Sequence, residues 1–124
     1  MIPLHISGSL EQPTATFGVD PARPERVCVS SLAVHEMSDA MMRPVWTIST
    51  TGRDCRRVKQ AVYGQAPEGF ATDVPAQMLK PGVRYTVAGH GWTSWPAAVP
   101  WSGGGDFIFQ DGEWRPAPPF TPGR

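Results

Sequence analysis

Fourteen prolines and thirteen glycines, spread through 124 residues, set the first limit on this chain. Each proline removes a backbone donor and restricts the residue before it. Long helices are thereby excluded from most of the sequence. Only 25–43 and 53–63 lack both residue types for long enough to host one. What remains is short segments with strand-like alternation between turns, the mark of an all-β domain.

The length suits one domain with one core, burying roughly two-thirds of the surface that the unfolded chain would expose. A formal net charge of zero gives no electrostatic footprint for nucleic acid and no attraction to an anionic membrane. Arg53, Arg56, Arg57 and Lys59 form the one basic cluster, and with no glycine-rich cradle beside it they read as a solvated turn and strand edge. No run of about eighteen apolar residues is present, so no transmembrane helix is expected. Met1–Leu10 lacks the basic start and apolar stretch of a signal peptide, so an exported protein would have lost its signal already.

Three parts are expected: an N-terminal segment 1–24 with a weak strand at Thr14–Val19, a β-sandwich domain at 25–116 and a proline-rich tail at 117–124. Val27–His35 is rich in β-branched residues, and its alternation slips between Val29 and Leu32, as a β-bulge would make it do. Pro44–Thr51 is the clearest central strand, with Trp46 and Ile48 on one face. Arg56–Tyr63 fits two readings. Val58, Gln60 and Val62 alternate as in a strand, whereas Cys55, Val58 and Val62 share a helical face between Asp54 and Gly64. The strand is preferred because its surroundings are β. Gln65–Pro75 reads as loop or short strand. Asp111-Gly112 is a two-residue hairpin turn of the primed type, which sets Phe109 opposite Trp114. The expected core is Trp46, Ile48, Val62, Tyr85, Val87, Phe107, Phe109 and Trp114.

Leu79-Lys-Pro-Gly-Val-Arg-Tyr-Thr-Val87 places a tyrosine a few residues after a Pro-Gly turn, where its hydroxyl can reach back to the loop backbone. This tyrosine corner resembles the junction before the sixth strand of fibronectin type III domains. The resemblance implies an immunoglobulin- or fibronectin type III-like antiparallel β-sandwich of about seven strands, and no particular ligand. The proline-rich tail, Trp46-x-Ile48 and Tyr63-Gly-x-x-Pro67-x-Gly69-Phe70 are similar to small uncharacterised bacterial envelope proteins. That likeness implies an extracytoplasmic home, periplasm or envelope, and no activity.

The first candidate site is the stretch from His90 to Gly105, read as a loop that holds Trp92, Trp95 and Trp101 among small residues and prolines. Each indole offers about 150–250 Å² to bury. Three left bare would approach roughly 600 Å², near the largest apolar patch an ordinary monomer carries, so one or two must pack on something. They form either a lid on an open end of the sandwich, a stacking surface for a sugar ring or proline-rich peptide, or a protein–protein contact. Gly103-Gly-Gly105 has no following helix and is no phosphate loop.

The second is His35-Glu-Met37-Ser-Asp-Ala-Met41-Met42. Imidazole and thioether ligands suit cuprous copper, and the stretch resembles part of the periplasmic copper chaperones. The resemblance implies His35, Met37, Met41 and Met42 as metal ligands. The chain departs from that pattern where Tyr85 and Val87 replace the later ligands, and otherwise the methionines fill gaps at a strand-end turn.

Cys28 and Cys55 face each other if the strands flanking 40–43 pair with Val34 opposite Ile48 and one bulge intervenes. A bond would then contribute about 3.5 kcal/mol by loop entropy, and the sequence leaves bonded and free states open. His5, His35 and His90 are scattered, and no nucleophile elbow, zinc-protease motif or zinc-spaced cysteine pair occurs. The expectation is a non-catalytic binding or interaction module without a cofactor, taking a protein or glycan through Trp92, Trp95, Trp101 and His90. The alternatives are a copper(I)-binding protein and a structural or inhibitory subunit with one protein partner.

Overall fold

The computed structural model of the chain describes residues 4–17, 27–38, 41–51, 55–56, 58, 60–93 and 99–117. Nine strands run through them: β1 (Leu4–Gly8), β2 (Pro13–Phe17), β3 (Val27–Ser38), β4 (Met41–Thr50), β5 (Gln60–Val62), β6 (Phe70–Val74), β7 (Arg84–Thr93), β8 (Val99–Gln110) and β9 (Glu113–Pro116). No helix occurs among the described residues. The strands form two antiparallel sheets, β1-β2-β5 and β6-β4-β3-β7-β8-β9. Their facing sides share one core, with Ile6, Ala15 and Ala61 from the smaller sheet against Leu32, Val34, Trp46, Ile48, Tyr85, Val87 and Phe107 from the larger.

The count of about seven strands is thus corrected to nine. β1 is the strand that the sequence hid. Leu4–Gly8 is too short to show a pattern, and its pairing with β2, which continues the sheet to β5, makes it a strand. Residues 4–17 therefore belong to the sandwich rather than preceding it. Likewise β6 is a strand because it adds to the edge of β4.

The slip foreseen between Val29 and Leu32 is a bulge between Val29 and Ser31 against β7. A second bulge was not legible. Val34 pairs with Trp46 and His35 with Pro44, so Val45 stands unpaired and both Val45 and Trp46 turn inward. Residues 60–62 are strand, not helix, yet their inward positions are Ala61 and Tyr63 rather than Val62. Tyr63 explains the shift. Its ring meets Trp46 edge to face at 5.2 Å. Its hydroxyl donates to Gln77 O at 2.7 Å and accepts from Gln77 N at 3.2 Å, with Val45 O at 3.1 Å as a second acceptor. Seating that ring in the core outweighs burying one more valine.

The 75–83 connection is held from both sheets, by Tyr63 at Gln77 and by Tyr85, whose hydroxyl accepts from Lys80 N at 2.7 Å. Leu79 is buried between these anchors. The tyrosine corner is therefore present as expected. The turn at Asp111-Gly112 also has both residues at positive φ, 54° and 80°, and sets Phe109 opposite Trp114. Trp114 lies 5.4 Å from Phe109 and donates Nε1 to Ser9 O at 2.9 Å, which closes that edge of the sandwich over the β1–β2 turn.

Candidate functional site: the outer face of the large sheet

Alternation along β7 separates two faces. Tyr85, Val87, Gly89 and Gly91 are buried, whereas His90 and Trp92 are exposed on the opposite side. β7 and β8 pair continuously from Arg84↔Ile108 to Thr93↔Val99. Where it is described, the expected loop from His90 to Gly105 is thus two strands of a hairpin, because the register that starts at Arg84↔Ile108 runs on through its glycines.

That register divides the tryptophans. Trp92 pairs with Pro100 and Trp101 with Gly91, so their positions fall on opposite faces of the hairpin. Trp95 lies outside the described residues. Trp92 is 43 % exposed, next to His90, and these two are the members of the predicted site that share the outer face. Across β3, Cys28 stands opposite Trp92, and Ser30 Oγ donates to His90 O at 3.2 Å, which fixes the strand beneath the imidazole.

Further along the same face, register aligns Pro44, His35, Thr86 and Asp106 in one row across four strands. Asp106 Oδ2 accepts from Arg84 Nε at 2.8 Å and lies 2.6 Å from Arg84 Nη2. Thr86 Oγ1 is buried and has no hydrogen-bond partner. Buried hydroxyls are nearly always satisfied, and this one is an exception closed off from solvent. Next to this row comes one of Ala33, Ala88 and Gly104, which carries no side chain beyond Cβ, and between it and Trp92 comes the row of Ser31, His90 and Ser102. Gly104 is obligatory, since a Cβ there would run into the Val87 carbonyl oxygen. Sequence reasoning missed Arg84, Thr86 and Asp106. Outward alternation from Tyr85 marks Thr86, but only the β7–β8 register brings Asp106 beside it.

The predicted copper set is divided as well. Met37 pairs with Met42, and His35 shares their outer face, whereas Met41 pairs with Ser38 on the other. Met41 and Met42 are exposed at the end of the β3–β4 hairpin. Among the described residues no group of three or more histidine, cysteine, aspartate or glutamate side chains gathers as a metal site.

Cys28 and Cys55 are joined in a disulfide, with Cα atoms 5.4 Å apart. The register expected for it is corrected. Ile48 faces Leu32, not Val34, and Cys55 lies beyond β4, where Val29 and Arg56 exchange two backbone hydrogen bonds of 2.7 and 2.9 Å. The bond staples Cys55 onto β3 beside Trp92.

Inside the sandwich, a cavity of about 30 Å³ lies between the sheets, walled by core side chains such as Leu32, Trp46 and Tyr85. It holds little more than water and falls far below the roughly 300 Å³ of a small-molecule site. Comparison with protein-family models, curated proteins and solved structures finds no match. No helix among the described residues is long and apolar enough to cross a membrane.

Proposed function

We propose that this domain is a non-catalytic binding module of the cell envelope that meets its ligand through the β7–β8 hairpin, with Trp92 and His90 as contacts. The observation that carries this reading is the exposed indole of Trp92 beside His90, on a strand whose alternate residues are buried in the core. An aromatic side chain held by a rigid strand loses little freedom on binding and offers a large contact area. The disulfide supports an oxidising, extracytoplasmic setting.

A fibronectin type III-like sandwich is the finer reading of the fold. Setting aside the edge strands β6 and β9 leaves seven strands, and β7 becomes the sixth, directly after the Tyr85 corner. In such sandwiches the connections at one end form recognition surfaces, and Trp92, opposite Cys28, lies at the end occupied by the disulfide.

The test compares wild type and Trp92→Ala on a panel of immobilised glycans and proline-rich peptides. A panel member whose affinity falls tenfold or more in the variant supports the reading. A bound member whose affinity is unchanged, or a panel that binds nothing, overturns it.

A second reading, cuprous binding, is favoured by His35, Met37 and Met42 sharing one face. Cuprous ion should then raise the melting temperature, and His35→Ala should abolish the rise.

A further inference from the structure

The large sheet is left unfinished along β8. β9 pairs with it only from Phe107 to Gln110, and among the described residues no strand lies beyond 99–105. Two backbone bonds show which groups that edge presents. Phe109 O accepts from Gly82 N on the β7 side at 3.0 Å, whereas Asp106 O accepts from Ala117 N on the β9 side at 2.8 Å. Pairing with β7 runs along β8 without a shift. The even-numbered residues of β8 therefore point their N–H and C=O groups away from β7. In the open stretch these are the amides of Ser102 and Gly104 and the carbonyls of Pro100, Ser102 and Gly104.

An edge of this kind invites pairing unless charge, a bulge or a cover protects it. Residues 99–105 carry no charged side chain, and no bulge interrupts them. A cover is the device that remains.

We infer that the edge is covered by the chain's own residues 118–124, which continue β9 antiparallel along β8. Those residues lie outside the described ones, and β9 sets the register that they inherit. Phe107 faces Pro116, so 118 falls opposite Gly105 and each later residue opposite one earlier on β8. Pro118 and Pro122 then share the parity of Pro116, where the nitrogen faces away from β8 and no donor is needed. Thr121 and Gly123 keep their N–H groups and fall opposite Ser102 and Pro100, whose carbonyls are open. Pro119 is the exception, and it leaves the Gly104 carbonyl to water. Phe120 stands opposite Gly103, on the sheet face that buries Tyr85 and Val87. An aromatic residue beside an edge glycine supplies the cover that the glycine lacks.

A second copy of the chain could offer the same backbone groups. Covalent attachment favours the cis segment, because it holds those groups beside the edge at every protein concentration. This cover is independent of the ligand that Trp92 meets.

Amide hydrogen exchange on the intact protein, followed by NMR, tests the cover. Ser102 and Gly104 should exchange at least about a hundredfold more slowly than unstructured amides, and equally slowly after about tenfold dilution. Thr121→Pro removes the donor to Ser102 O and should speed exchange at Ser102 by about tenfold or more. Gly103 and Gly105 point their amides to β7, so their unchanged protection shows that the variant keeps its fold. Fast exchange at Ser102 and Gly104 in the wild type overturns the cover. Slow exchange that Thr121→Pro leaves unchanged overturns it as well. Slow exchange that is lost on dilution assigns the edge to a second copy and overturns the cis cover.

Discussion

The Tyr85 hydroxyl accepts the Lys80 amide hydrogen at 2.7 Å, across a turn in which Gly82 has a φ of 76°. Tyr85 is 1 % exposed, so this amide has a fixed partner where the connection enters the large sheet. Tyr85→Phe leaves the ring in place and removes the acceptor. It should cost about 0.5–1.5 kcal/mol, the net range for one hydrogen bond, since Lys80 itself is exposed. Urea unfolding with an unchanged m-value would check this, and a loss under about 0.5 kcal/mol would mean that water replaces the phenol.

Tyr63 predicts a pH dependence. Burial, opposed by the hydrogen bond from Gln77 N, pushes its phenol up to about 12 from the ordinary 10.0. A group whose folded pKa is raised contributes stability that is present below its unfolded pKa and is lost as pH rises through the folded one. Stability should therefore fall between about pH 10 and 12. Burial raises Tyr85 as well, so it adds to the same alkaline loss. Melting temperatures over this range for wild type and Tyr63→Phe check it, and the variant should show the shallower decline.

Reducing the Cys28–Cys55 bond should destabilise the domain by up to about 3.5 kcal/mol, the loop-entropy value for a separation of 27 residues. The doubly substituted Cys28→Ser, Cys55→Ser protein should show the same loss and no further response to dithiothreitol. A reductant effect that persists in the double variant would point to a cause other than this bond.

Gly104 is exposed, and surface substitutions usually cost little. Gly104→Ala should nevertheless destabilise by more than about 1 kcal/mol, because its Cβ meets the backbone oxygen of Val87 and no side chain can yield. Gly82→Ala makes a useful contrast. It has open space around it and only the positive φ to oppose it. Thermal melts of the two variants separate steric collision from backbone strain.

Two tryptophans should behave oppositely. Trp46 is 2 % exposed in the core, and Trp46→Ala should cost about 3–5 kcal/mol. Trp92→Ala should cost less than about 1 kcal/mol while removing the exposed indole from the acrylamide-quenchable fluorescence. A core-sized loss at Trp92 would make it structural and end its claim as a contact.

Local chemistry along the chain determined the class of fold. Proline and glycine spacing excluded long helices from most of the chain, positive-φ chemistry placed the Asp111-Gly112 hairpin and its Phe109–Trp114 pair, the Leu79–Val87 stretch announced the Tyr85 corner, and broken alternation marked the bulge at Ser30. Each of these depends on residues a few positions apart, so the sequence carries it directly. Tertiary structure alone decided what rests on register between distant strands: β1 as a strand, Val45 turned inward beside Trp46, Tyr63 displacing Val62, and Cys55 meeting Cys28 beyond β4. It also divided Trp92 from Trp101 and gathered Arg84, Thr86 and Asp106 on one face. A shift of one residue in pairing exchanges the two faces of a strand, and alternation in a single strand does not reveal which partner sets that pairing.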